Sequence, residues 1–212
     1  MNYVNRCFSE EELDFLREMM NIGAGNAATA FSEILGCEVD LIIPNVYKLS
    51  IPNMFSIFHD PYVLVTCAKM EMQGDVRGNL FFIVQENQKR SLIRLVEKTP
   101  LKSNGYAAYL DHSLLGEIGN IITGAYLTAI HDFCGLKIYH SAPILTIDVL
   151  QSILDKSVVT SNHQVQEVIL IENEFIIIGK HIVTFLLIFP SKESFRVLID
   201  SLHQAKMKYG FG

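Results

Sequence analysis

The sequence predicts an α+β fold of two layers, in which one α-β-β-β-α unit is used twice about a pseudo-two-fold axis, with a mostly antiparallel, continuous sheet and two long helices. Three observations carry this. Leu13–Pro44 aligns without gaps on His112–Pro143, at a constant offset of 99 residues, with nine of 32 positions identical; chance gives about two. The identities are Leu16/Leu115, Glu18/Glu117, Asn21/Asn120, Ile22/Ile121, Gly25/Gly124, Thr29/Thr128, Ala30/Ala129, Gly36/Gly135 and Pro44/Pro143. Each copy opens on apolar residues at helical spacing. Each then continues in β-branched and aromatic runs separated by short turns, the connection that joins antiparallel neighbours.

Taken in order, the first helix starts at Ser9-Glu10-Glu11-Glu12, a capping box whose acidic first turn also suits the helix dipole. Leu13, Leu16, Met20, Ala27, Phe31 and Ile34 recur on one side, and Gly36 is the stop signal, repeated as Gly135. Strands are expected at Val39–Tyr47, Tyr62–Met72 and Gly78–Val84, and in the second copy at Lys137–Leu150, Glu167–Glu172 and Phe175–Phe189. Helical patterns close the units at Asn87–Glu97 and Ser191–Lys206. Past the helices the repeat runs on weakly at an offset of 105, so the second copy carries six extra residues, placed in the polar stretch Ser157–Gln166. The expected organisation is one domain over 1–212, with repeats at about 9–100 and about 106–207.

Composition excludes several classes. Half the residues are hydrophobic and 19% are charged, which is not a disordered composition. The most apolar stretch, Phe175–Phe189, is broken by Gly179, Lys180 and His181, far short of the ~18 residues a membrane-spanning helix needs. A net charge of −6 and the absence of any long basic run argue against nucleic acid. No apolar signal segment opens the chain, so a cytoplasmic location is expected. Cys7, Cys37, Cys67 and Cys134 form no CxxC pair and read as reduced, buried thiols rather than a zinc or redox site.

At about 100° per residue, Asp14, Glu18, Asn21 and Gly25 fall on one face, opposite the apolar side; Ser113, Glu117, Asn120 and Gly124 do the same in the second copy. A polar stripe on one helix is ordinarily just solvated. Here Asn is a mediocre helix former and Gly costs about 1 kcal/mol relative to Ala, so a solvated face gains nothing from either. Close packing of a neighbour against Gly25 and Gly124 is the alternative. The chain keeps Glu, Asn and Gly on this face in both copies while the surrounding residues diverge. Other enzyme signatures are missing. Gly23-Ala24-Gly25-Asn26-Ala27-Ala28 imitates a dinucleotide fingerprint inside a helical pattern, not between a strand and a helix. No cysteine has an arginine six residues on, and the histidines show no ligand spacing.

The paired pattern Asp14-x3-Glu18-x2-Asn21-x22-Pro44 and Ser113-x3-Glu117-x2-Asn120-x22-Pro143 resembles the doubled signature of the CheC/CheX/FliY family of chemotaxis phosphatases. Two motifs without flanking switch segments look like the CheC branch. The resemblance implies a hydrolase that removes the aspartyl phosphate of the response regulator CheY-P. It implies no cofactor of the chain's own, with Mg²⁺ brought by CheY-P. Asn21 and Asn120 would each hold the attacking water, which a neutral donor–acceptor carboxamide suits. Glu18 and Glu117 would pair with a lysine of the regulator. Asp14, Ser113, Gly25 and Gly124 would support docking, and Pro44 and Pro143 would be structural. The receptor deamidase CheD is implied as a second partner, in a monomer or 1:1 heterocomplexes. Two alternatives stay open: a CheD-binding module with weak catalysis, and a FliY-like component of the flagellar switch.

Overall fold

The structure, a computed structural model, describes residues 9–43, 45–58, 60–96, 110–160 and 167–210. Its elements run α1 (Glu10–Leu35), β1 (Val39–Ile42), β2 (Val46–Ser50), α2 (Ile51–Phe58), β3 (Leu64–Gly74), β4 (Gly78–Gln85) and α3 (Glu86–Val96). The same order then recurs as α4 (Leu110–Cys134), β5 (Ile138–His140), β6 (Ile144–Val149), α5 (Leu150–Thr160), β7 (Glu167–Ile177), β8 (Lys180–Pro190) and α6 (Lys192–Tyr209).

The capping box forms as its sequence requires. Glu12 N–H donates to Ser9 Oγ at 3.1 Å, and Ser9 N–H donates to the Glu12 carboxylate at 2.9 Å. The helix ends in a left-handed Gly36 (φ 66°) whose N–H reaches Ser32 O at 2.9 Å, and Gly135 (φ 73°) repeats this against His131 O at 2.8 Å. The buried side of α1 is Phe15, Leu16, Met19, Met20, Ala24, Ala27, Phe31 and Leu35. Ile34, expected inside, is exposed, because the stripe drifts round the helix and Leu35 takes its place over the core.

All pairings are antiparallel, in the order β1-β7-β8-β4-β3-β5, with β2 also on β7 and β6 also on β3. The two-fold relation is visible in that order. The outer strands of the first repeat lie on β7 of the second, and those of the second lie on β3 of the first. The repeats therefore exchange their edges, and β4 and β8 join them at the centre through pairs such as Phe81 with Leu187.

The unit contains more than α-β-β-β-α. The run Val39–Tyr47 is split into β1 and β2, and Lys137–Leu150 into β5 and β6, with a proline in each gap; proline has no N–H for a ladder. After each second strand stands a short helix, α2 or α5, that the sequence reading left out. Pro52 in the first turn of α2, and Leu150, Ile153 and Leu154 at i, i+3, i+4 in α5, were the available signals. These helices cover the second face of the sheet: Met54, Phe58, Leu150, Ile153 and Leu154 pack on Val65, Cys67, Phe81, Ile83, Leu170 and Leu187. The opposite, larger cluster lies under α1, α4 and α6 and includes Met70, Leu80, Phe82, Ile169, Ile171 and Ile188 from the strands. Layers thus stand on both faces, where two layers in all were expected. Part of the expected insertion is the greater length of α5, 11 residues against 8 for α2; residues 161–166 lie outside the described residues.

Between α1 and α4 the backbones come close. A Cβ at Gly23 would stand 3.0 Å from Ala125 O and 3.1 Å from the Tyr126 ring, and one at Gly119 would meet Phe82 at 3.1–3.3 Å. The Tyr126 hydroxyl donates to Asn173 Oδ1 on β7 at 2.6 Å inside the core. That bond fixes α4 over the sheet.

Candidate functional site

Both polar stripes point outward as the helical arithmetic requires. On α1, Asp14, Glu18 and Gly25 are exposed and Asn21 is half-buried; on α4, Glu117 is exposed and Asn120 and Gly124 are half-buried. Ser113 falls in the first turns of α4, with its side chain outside the described residues, as Pro44 is altogether. Pro143 directly precedes β6. Among the described residues, neither Glu18 nor Glu117 has a hydrogen-bond or ion-pair partner, so both carboxylates are available. Asp14 pairs with Arg17 at 3.1 Å.

The glycines sort into two kinds. Gly23 and Gly119 sit inside tight contacts, where a methyl would force Ala125, Tyr126 or Phe82 to give way by a few tenths of an ångström. A Cβ at Gly25 would meet nothing within 4 Å, and one at Gly124 only His140 Nε2 at 3.7 Å, an ordinary contact. Internal packing therefore does not account for Gly25 or Gly124. Each gives up about 1 kcal/mol of helix stability relative to Ala, with no return inside the fold.

The two asparagines differ. Asn21 Oδ1 accepts the backbone N–H of Ile43 at 2.9 Å, a donor left over where the ladder of β1 ends. One lone pair of Oδ1 and both hydrogens of Nδ2 remain for another partner. Asn120 makes no such bond among the described residues; in the second copy the corresponding chain instead has Ser141 Oγ donating to Ala142 O at 3.1 Å. The sequence reading missed this difference, and it also passed over Thr29 and Thr128. These identical positions extend each stripe by one turn, and their hydroxyls donate to Gly25 O at 3.0 Å and Gly124 O at 2.9 Å.

Elsewhere the chemistry is quiet. No group of three or more His, Cys, Asp or Glu gathers in metal-binding geometry among the described residues. Burial pushes the thiols of Cys67 and Cys134 up to about 12, so both are protonated and poorly nucleophilic. No helix among the described residues is long and apolar enough to cross a membrane.

Fold and site together define a duplicated α+β protein that presents one carboxylate–carboxamide helix face twice. A profile of the CheC-like family matches residues 11–47 and 111–147, the two motif segments with the strand starts that follow them. The CheY-P phosphatase CheC of Bacillus subtilis (strain 168) is 33% identical over 150 residues, spanning 69% of this chain and 71% of that protein. The chain belongs to the CheC-like family. Among solved structures, Thermotoga maritima FliY superposes with a TM-score of 0.69 at 23% identity, over 96% of this chain and 99% of that one. The middle domain of FliM from H. pylori gives 0.59 at 13% identity, over 92% and 99%. At these identities the likeness is one of fold.

Proposed function

We propose that the chain hydrolyses the aspartyl phosphate of a response regulator of the CheY type. In the reaction, water attacks phosphorus, the bond between phosphorus and the regulator's carboxylate oxygen breaks, and inorganic phosphate leaves the regenerated aspartate. The regulator brings the phosphoryl group and the Mg²⁺ that neutralises it. This chain brings a helix face. The carboxamide of Asn120, and in the other copy Asn21, accepts a hydrogen bond from the attacking water and holds it in line. It carries no charge that would repel or trap the phosphoryl oxygens. Glu117 and Glu18, free of partners among the described residues and one turn before the Asn, suit a cation beside the phosphorylation site. Orienting the water on binding supplies several kcal/mol of the barrier, on the order of a well-placed intramolecular reactant.

The observation that carries this reading is the pair of outward glycines. Gly25 and Gly124 serve no contact inside the fold, and each lies one turn after the Asn, where a partner's surface must approach for the carboxamide to enter a cleft. The exposed Ile22, beside Asn21, offers apolar area to the same partner. The activity of the Bacillus relative points the same way. The test is phosphate release from phospho-CheY with the parent, Asn21→Ala, Asn120→Ala and the double substitution. A double variant that keeps the parent rate ends the proposal. On the family resemblance CheD belongs to the same reading as a second partner, to be titrated into that assay.

A further inference from the structure

Beside the second motif, and one turn past Asn120, a cleft of about 480 Å³ opens between α4 and β5, lined among others by Gly124, Thr128, His131, Lys137, Tyr139 and His140. Its shape is held from within. The His131 and His140 rings use Nδ1 on Leu136 O at 3.2 Å and Ser141 O at 3.0 Å. A carbonyl only accepts, so Nδ1 carries the proton in both. The Lys137 backbone N–H donates to Asp75 Oδ2 at 2.8 Å, which fixes where that residue sits. The Lys137 ammonium has no ion-pair partner among the described residues, and the residue is exposed.

The internal repeat supplies a built-in comparison. At the offset of 99, the same six positions in the first copy are Gly25, Thr29, Ser32, Glu38, Asp40 and Leu41. Gly and Thr are kept, while Lys137 replaces Glu38 and Tyr139 replaces Asp40. Glu38 and Asp40 are exposed. The two motifs are alike in their reactive residues and opposite in the charge beside them.

A phosphorylation site that holds a divalent cation must be lined by carboxylates, so the face a regulator presents here is acidic. We propose that the α4–β5 cleft is a specificity-determining subsite that seats an acidic side chain of the phosphorylated regulator on Lys137. It draws the regulator to the second motif, whereas Glu38 and Asp40 repel that face from the first. This rests on the phosphatase reading above. It adds which motif is favoured and by what residue.

The experiment isolates each motif. In an Asn21→Ala background, Lys137→Glu raises KM for the phospho-regulator about tenfold at low ionic strength and leaves kcat unchanged. Lys137→Arg keeps the parent KM, and the effect shrinks when salt shortens the screening length to a few Å, about 3 Å at 1 M. In an Asn120→Ala background, Glu38→Lys lowers KM. A KM indifferent to charge in both backgrounds overturns the subsite, as does a loss that falls on kcat alone. Fluorescence anisotropy of labelled phospho-regulator reads binding without turnover. Binding weakened by Lys137→Glu supports the subsite even where the double asparagine variant keeps its hydrolysis and so sinks the phosphatase reading; unchanged binding overturns the subsite alone.

Discussion

Replacing the two asparagines one at a time separates what each carboxamide does for the fold from what it does for a partner. Both changes swap Asn for Ala in a long helix, which gains about 0.5 kcal/mol in each case. Among the described residues only Asn21 gives up a hydrogen bond, the 2.9 Å acceptance from Ile43 N–H, worth about 1 kcal/mol net. The propensity gain cancels in the comparison, so Asn120→Ala is the more stable variant by about 1 kcal/mol. For a domain of this size that is a Tm difference of about 2–4 °C. Asn120→Ala should melt at or above the parent, and Asn21→Ala slightly below it. Activity should run the other way. Asn21 must share its oxygen with Ile43, whereas Asn120 is free among the described residues. Asn120→Ala should therefore remove more than half of the phosphate release, Asn21→Ala less than half, and the double variant about a hundredfold or more. Scanning calorimetry and the release assay on the same preparations check both halves. Equal melting temperatures for the two variants would show that the Ile43 bond contributes nothing. A larger activity loss from Asn21→Ala would refute the argument that a tethered carboxamide is the poorer catalyst.

Gly25→Ala and Gly124→Ala should each raise stability by up to about 1 kcal/mol while slowing hydrolysis, whereas Gly23→Ala, with its methyl 3.0 Å from Ala125 O, should lower stability by about 1–3 kcal/mol; urea midpoints read both. Tyr126→Phe leaves Asn173 Oδ1 without its 2.6 Å donor in the core and should cost about 1–3 kcal/mol, seen in the same titrations. Folding raises the Cys67 thiol to about 12, from about 8.5 in an unfolded chain. The stability this contributes is complete below the unfolded value and is lost as pH rises toward 12. Between those limits Cys67 should make stability fall by about 1.4 kcal/mol per pH unit. Comparing the alkaline slope with that of Cys67→Ala checks it, and equal slopes would contradict it.

How much was legible depended on whether the signal was local. The ends of α1 were readable because a capping box and a left-handed glycine are decided within four residues. Asp14, Glu18, Asn21 and Gly25 on one face, and their counterparts in α4, needed only the helical period. Helix α2 was hidden because Ile51-Pro52-Asn53-Met54-Phe55-Ser56-Ile57-Phe58 is apolar nearly throughout, and a short apolar run has no period to tell helix from strand. The bond from Ile43 to Asn21 was hidden for a different reason. It links residues 22 apart through a main-chain donor, which carries no residue identity at all. The edge exchange between repeats was likewise invisible, since β1 beside β7 is a pairing across more than 130 residues.

The nine identities between the repeats fall in a telling pattern. Glu18/Glu117, Asn21/Asn120, Gly25/Gly124 and Thr29/Thr128 lie along the outward stripe; Gly36/Gly135 are the left-handed helix stops, and Pro44/Pro143 stand where the strand ladder breaks. Of the nine pairs, Ala30/Ala129, Ile22/Ile121 and Leu16/Leu115 remain; Ile22 is exposed, and Leu16 and Leu115 are core residues. Apart from Leu16/Leu115, the buried side of α1 differs from that of α4: Met20, in the core, corresponds to Gly119, which makes room for Phe82. A core tolerates such exchange because the loss of volume on one side is filled from the other. Along the outward stripe, Asn21 has the Ile43 bond and the threonines bond their own helix, but among the described residues nothing holds Glu18/Glu117 or Gly25/Gly124 to their identities. Glu and Gly kept in both copies, with no contact among the described residues to enforce them, are what a common external surface requires. The sharp change from Glu38 to Lys137 just beyond the stripe then marks where the two copies cease to meet that surface in the same way.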